Sequence, residues 1–302
     1  MNIINGEKTM QSDKFRLGLA CAVLALTSAP ALADEHRGGS NFKRIATLAN
    51  YINNDDRGDE TVSEIVAATK NGKTLVYTDS ELEEIGFVYI GKPSDPIPTG
   101  KLAVPGEPTS VAVLGNTLAL VAVNTSASFT DTSGKLVVVH INKRQIVGEL
   151  ELGGQPDSIA ISPDNRYAAV AIENERDEEI CVGGGENGSP VPEDGPEAPG
   201  DITEAQCEAA GGAVGVLPQT GLGNPPGFLA IVDLKGRNPK NWSVREADLT
   251  GIAGYAPEDP EPEFVDIDDY NQAVVSLQEN NHIAIVDLAS GMVVSDFSAG
   301  TV

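Results

Sequence analysis

Apolar runs of four to eight residues, rich in Val, Ile and Ala, recur along the chain between clusters of Gly, Pro, Asn and Asp. Runs of this length bounded by turn residues are strand signals, and strands so short need neighbours to bury their faces. Residues 153–179, GGQPDSIAISPDNRYAAVAIENERDEE, show the rhythm most plainly. An apolar strand leads into a turn at Ser162–Asn165, a second apolar strand follows, and a burst of acid and amide side chains ends the unit.

The rhythm returns from Val62 (VSEIVAATKNGKTLVYTDSELEEIGFVYI), from Gly106 (GEPTSVAVLGNTLALVAVNTSASF, then KLVVVHI and QIVGELEL) and from Pro260 (PEPEFVDIDDYNQAVVSLQENNHIAIVDLASG). Superposed, Ile65, Val111, Ile159 and Val265 share one position, and Ser63, Thr109, Asp157 and Glu263 stand two residues before it. Tyr77, Val123 and Leu277 fall twelve residues on, with the third repeat off by one, and then come TDS, NTS, ENE and QEN. A unit of about 40–50 residues holding four strands predicts a propeller blade, in which each sheet buries its faces on the sheets beside it. The expected fold is therefore all-β, a β-propeller of four-stranded blades with about four present, near residues 62–105, 106–152, 154–249 and 260–302. In a blade the first strand lines the axis and the loop after the second opens on one rim. Asp79, Glu173, Glu175 and Glu279 are thereby expected on a single face.

Several stretches depart from the rhythm. Residues 41–52, NFKRIATLANYI, read as a lone strand. Just after it, Asn53, Asp55, Gly58 and Glu64 match positions of an EF-hand-like loop, but Arg57 stands where a ligand should be and no helices flank it, so a charged turn is the expected reading. Residues 180–226 contain no Lys or Arg and are dominated by Gly and Pro, which predicts a long acidic surface loop inside the third repeat. Gly183, Gly185 and Gly188 satisfy GxGxxG, but no helix-forming sequence follows to present its N-terminus to a phosphate.

The N-terminus changes the picture from a fold to a compartment. Lys14 and Arg16 precede an apolar run from Leu17 to Leu26, and Ala31-Leu32-Ala33 supplies a small-x-small cleavage site. This predicts a secretory signal over residues 1–33 and a secreted, periplasmic or cell-surface-associated chain starting at Asp34. The run is shorter than the roughly 20 residues of a membrane span. Cys21 leaves with the signal, and in an oxidising compartment Cys181 and Cys207 are expected to pair as a disulfide.

A formal charge of −25 with 40% hydrophobic residues fits a globular, turn-rich chain with an acidic surface. Such a surface repels nucleic acid and suits divalent cations or basic partners. ENERDE at 173–178, EDPEPE at 258–263 and Glu279 offer carboxylates, and oxygen donors favour calcium or magnesium over zinc. One acidic run is ordinarily a solvated loop. Three at repeat-equivalent rims predict a shared calcium site of Asp157, Glu173, Glu175, Glu263 and Glu279. Arg176, embedded among these acids, either pairs with them or clamps a phosphate, and His282 beside the rim is a candidate base. No GxSxG elbow is present, Ser158 reads as the opening of a strand, and Trp242 reads as blade packing.

The runs NFKRIATLANYI, VSEIVAAT, GEPTSVAV, GGQPDSIAISPDNRYAAVAIENERDE, PPGFLAIVDL, EDPEPEFVDI and LQENNHIAIVDLASG resemble the exported bacterial phytase-like, or choice-of-anchor I, β-propeller proteins. They are also similar to the mesenchyme-specific cell-surface glycoproteins of animals, and bacterial relatives are often labelled alkaline phosphatase or "esterase-like activity of phytase". The resemblance covers most of the chain after residue 33. It implies an exported calcium-dependent phosphoesterase acting on a phosphate ester, with Arg176 and His282 as candidate catalytic residues. The alternative is a non-catalytic binding module whose acidic rim takes calcium only to stiffen loops. The resemblance further implies more blades than the four units seen here, so that the chain reads as an N-terminal portion whose strand at 42–52 lacks a closing partner.

Overall fold

Strands with two apolar faces stay buried only when sheet stacks on sheet, and the chain does this with four four-stranded antiparallel sheets. In a computed structural model, residues 43–54, 56–193, 195–196 and 198–300 are described. All elements named here lie in the unit Arg44–Val302. The expected signal segment, with Cys21, lies outside the described residues.

Blade 1 is β1 (Val66–Ala68), β2 (Thr74–Asp79), β3 (Glu84–Tyr89) and β4 (Ile97–Ala103). Blade 2 is β5 (Glu107–Leu114), β6 (Leu118–Asn124), β7 (Gly134–His140) and β8 (Gln145–Glu151). Blade 3 opens with β9 (Pro156–Ile161) and β10 (Tyr167–Ile172) and is interrupted by β11 (Cys181–Val182), α1 (Glu204–Ala209) and β12 (Ala213–Val214). It is completed by β13 (Phe228–Asp233) and β14 (Ser243–Asp248). Blade 4 is β15 (Pro262–Ile267), β16 (Gln272–Leu277), β17 (His282–Asp287) and β18 (Met292–Ser298). Strands follow chain order within every blade, and the inner strand β9 lies beside both β5 and β15. The chain is an all-β propeller, with about four blades among the described residues.

The two-residue period of a strand divides the core between joints. On β10, Ala168, Val170 and Ile172 face blade 2 and pack with Leu120, Leu136 and Val138, whereas Tyr167 and Ala169 face blade 4 and meet Val265, Val275 and Leu277. Each fully buried aliphatic side chain contributes roughly 1.5–3 kcal/mol, so the joints carry most of the stability. Trp242 packs in the joint of blades 2 and 3, its indole N–H donating to the Gly236 carbonyl at 2.9 Å. On blade 4 the face turned from blade 3 leaves Phe264 and Phe297 64% and 49% exposed.

The offset of the third repeat has a local cause. Val111 pairs with Val121 and Val265 with Val275, but Ile159 pairs with Val170, one residue further on. The extra residue lies in the turn between β9 and β10, where the Ser162 hydroxyl accepts from the N–H groups of Arg166 and Tyr167 and Asn165 takes φ 60°.

Two expectations are corrected. The described part of 41–52 is not a strand: no ladder partner exists for it, and residues Asn50–Asn53 wind into a 3-10 turn instead, packed on β4. Asn53, first position of the EF-hand-like match, spends its amide on the backbone of Gly100 and on the Tyr77 hydroxyl; Asp55 lies outside the described residues. Second, residues 180–226 are more than loop. Cys181 and Cys207 are joined by a disulfide and form a small core with Val191 and Ile202. α1 starts with a capping box in which Thr203 and Gln206 satisfy each other's N–H groups. Among the described residues no helix is long and apolar enough to cross a membrane.

Candidate functional site

The inner strands of blades 2, 3 and 4 carry a proline at or next to their start. Pro108, Pro156 and Pro262 pair with Val123, Ile172 and Leu277, and each ladder slips immediately afterwards. Proline lacks an N–H and so suits a free inner edge, while a bulge re-aims the side chain that follows. The residues at the slip are Thr109, Asp157 and Glu263. Adjacent inner strands thus deliver two of the expected carboxylates at equivalent bulges. Ser158 ties the two bulges together: its hydroxyl donates to the Glu263 carbonyl at 2.6 Å and accepts from the Val265 N–H at 3.0 Å. The residue that read as a simple strand opener is the bolt between blades 3 and 4.

The loops after the second strands are held by buried amides. Asn174, at φ 53°, accepts from the Gln155 N–H at 2.8 Å and donates to the Pro226 carbonyl at 3.0 Å. Asn280 repeats this in blade 4, accepting from the Glu261 N–H at 2.9 Å and donating to the Asp259 carbonyl at 3.0 Å. Asp79 plays the same part in blade 1, accepting from the Val62 N–H at 3.1 Å, and is buried. It is therefore a staple and not the open rim acid expected from the repeat alignment. The staples leave Glu173 and Glu175 on either side of Asn174, partly exposed, and Glu279 exposed beside Asn280.

These carboxylates feel one another. Burial pushes Glu173 up to about 9, and Asp157, Glu175, Glu263 and Glu261 add repulsion. Asp157 is pushed up to about 7 by burial, with Glu263, Glu175 and Glu64 contributing. Glu263 is raised by burial and by Glu279, and Glu175 by burial against a 3.0 Å hydrogen bond from the Gln155 amide. Glu107 is also raised by burial, with Glu64 among its neighbours. The mouth therefore draws on all four blades. Glu64, Glu107 and Glu261 were not assigned to it from the sequence, although Glu107 and Glu261 precede the recurrent proline, a signal that could have found them.

All donors in this mouth are carboxylate oxygens, the set that suits a hard cation such as calcium. As placed, no three His, Cys, Asp or Glu side chains among the described residues form a metal-ligating group. The fit is one of donor chemistry and charge.

Arg176 is buried. Its guanidinium donates to the Asn174 carbonyl and to the Asp259 carboxylate, and its Nε stands 3.6 Å from the Glu261 carboxylate. Asp259, also buried, accepts from the Gln219 N–H at 2.6 Å, which docks the insert onto this pair. Burial pushes Glu261 up to about 8 while Arg176 pulls it down. Arg176 thus meets the cluster through Glu261 and presents no open edge to a phosphate. His282, on the third strand of blade 4, is buried with Nε2 2.9 Å from the Asp296 carboxylate.

A family model for the choice-of-anchor I domain matches residues 64–302. No curated protein matches. Among solved structures, the β-propeller domain of Myceliophteria thermophila Cps50 (Swd1) is similar at 10% identity over 79% of this chain and 57% of its own, with a TM-score of 0.46. A putative 6-phosphogluconolactonase from Bacteroides uniformis is similar at 12% identity over 85% of this chain and 60% of its own, TM-score 0.45. Kuenenia stuttgartiensis hydrazine synthase is similar at 13% identity over 75% of this chain and 64% of its own, TM-score 0.37. The chain spans less than two thirds of the length of each of these structures.

Proposed function

This chain belongs to the choice-of-anchor I domain family, and from that premise we propose that it is an exported or surface-held propeller whose acidic mouth binds a hard divalent cation, calcium first among them. The observation that carries this reading is the convergence of Asp157 and Glu263 on adjacent bulges, held by Ser158, with Glu173 from the neighbouring loop. Desolvated carboxylates that repel one another gain most from a cation, and Asp157, Glu173, Glu175, Glu263 and Glu279 are the residues that would hold it. The cation would supply charge neutralisation and tie blade 3 to blade 4. In this reading the protein is a binding module.

The phosphoesterase reading adds a bound phosphate ester and a group to grip its oxygens. Arg176, the residue expected to do so, is engaged by Asp259 and Glu261, which favours the module over the enzyme. Calcium titration followed by calorimetry and melting separates the outcomes. Saturable binding that raises the melting temperature and is lost in the Glu173→Gln, Glu263→Gln double variant is expected, with no turnover of phytate or a phosphomonoester. Absence of any calcium effect up to millimolar concentration sinks the proposal, and calcium-dependent turnover would replace it with the phosphoesterase.

A further inference from the structure

Antiparallel blades send their connections alternately to two ends. Loops after the second strand, with their carboxylates, open at one end; the turns between first and second and between third and fourth strands open at the other. At that second end the segments TKNGK (69–73), INKR (141–144) and LKGRNPK (234–240) carry exposed Lys and Arg, so a chain of charge −25 keeps a base-rich face.

On this face, between blades 1 and 2, lies a groove of about 180 Å³ lined by Thr74, Phe87, Tyr89, Thr99, Asn142 and Arg144, with Ile141 at its side. Its construction is specific. The β3–β4 ladder slips between Phe87 and Val88, which places Gly100, at φ 114°, opposite Phe87 and leaves Thr99 as the extra residue. Asn53 locks the bulge by accepting from the Gly100 N–H and donating to the Gly100 carbonyl, each at 2.9 Å. The positive φ at Gly100 is what calls for glycine, and Arg144 passes beside it, with its guanidinium carbon 5.9 Å from the Phe87 ring centroid. Among the described residues no carboxylate lies within ion-pair distance of Arg144. A guanidinium that lies over a ring and pairs with no carboxylate keeps N–H donors for a ligand.

We infer that this groove binds a small oxyanion-bearing ligand, with Arg144 gripping the anion and the Thr74 hydroxyl and the Asn142 amide supplying neutral hydrogen bonds. The volume is below the roughly 300–1,000 Å³ of drug-sized sites and matches a single ring or ion. A sugar acid and a phosphate group share the required chemistry. The site is independent of the acidic mouth at the other end.

The test titrates the full chain, in EDTA so that cations at the mouth play no part, with glucuronate, inorganic phosphate and, as the neutral control, glucose. Saturable binding of at least one oxyanion and none of glucose is expected. Arg144→Gln should weaken it by at least about tenfold, the scale of losing a charge-assisted bidentate contact. Arg144→Lys, which keeps charge and loses the fork, should fall between, and Glu173→Gln should change nothing. Glucuronate without phosphate identifies a sugar acid; phosphate without glucuronate identifies a phosphate group. The inference is overturned if neither oxyanion saturates, if glucose binds as well, or if Arg144→Gln binds as tightly as the wild type.

Discussion

At one end of the propeller Asp157, Glu173 and Glu263 crowd together with their protons held abnormally tightly, while at the other Arg144 lies over an aromatic ring with N–H donors free. Both ends are made from the same hairpins. What separates them is which connection of the blade they use, because a loop after the second strand and a turn after the third cannot share an end. The two arginines make the contrast sharp. Arg176 sits at the acidic end, buried, against Asp259 and Glu261; Arg144 sits at the basic end, exposed, with no carboxylate at ion-pair distance among the described residues. Local charge density is thus set by blade topology, and a net charge alone says little about either end.

The largest effect should come from breaking the buried arginine. Arg176→Ala leaves the buried Asp259 carboxylate without a counter-charge, and a loss of about 3–5 kcal/mol in urea unfolding is expected. A loss under about 1 kcal/mol would mean the pair is dispensable.

Next comes pH. The folded state holds protons on Asp157, Glu261 and Glu173, with values near 7, 8 and 9, that the unfolded chain releases at ordinary carboxylate values of 3.8 and 4.5. Unfolding above those ordinary values therefore releases protons, so this stabilisation is complete below about pH 4 and is lost as pH rises through 7 to 9. The calcium-free chain should melt at least about 5 °C lower at pH 9 than at pH 5. A flat profile, or a rise, contradicts the crowding at the mouth.

Ser158→Ala should follow, at about 1–2 kcal/mol, because it unbolts Glu263 from blade 3 and strands the Val265 N–H. It should weaken calcium binding as well as stability, whereas a mere packing role would spare the former. Smallest is Arg144→Gln, expected within about 0.5 kcal/mol in melting because the side chain is exposed. A larger loss would show that Arg144 roofs the core and is not waiting for a ligand.

The blades were legible because a two-residue apolar period repeated over a fixed unit encodes sheet-on-sheet burial locally. Asp157, Glu173, Glu175, Glu263 and Glu279 could be aligned for the same reason. Arg176 shows where that legibility stops: its partner Asp259 lies 83 residues away, and nothing in ENERDE distinguishes a buried ion pair from a solvated loop. Asp79 aligned with the acids but is a staple, since an acid and an amide serve equally well to accept the N–H of the entering strand, as Asn174 and Asn280 do. The stretch 41–52 has a strand's pattern, yet its described part has no ladder, which only the fold can show. The helix in the insert was signalled by Thr203 and Gln206 at capping-box spacing, and the Gly and Pro around it hid the signal.

The central claim, that the mouth is a cation site made of crowded and partly protonated carboxylates, is tested most directly by calcium calorimetry at pH 7.5 in two buffers of different ionisation enthalpy. Glu173, near 9, holds its proton there in the calcium-free chain, and Asp157, near 7, is part-protonated, so calcium must displace protons. The account predicts binding heats that differ between the buffers by release of about one proton per calcium, most of it lost in Glu173→Gln, which leaves only the smaller share of Asp157. Calcium binding with no proton release, or release undiminished in Glu173→Gln, would contradict it.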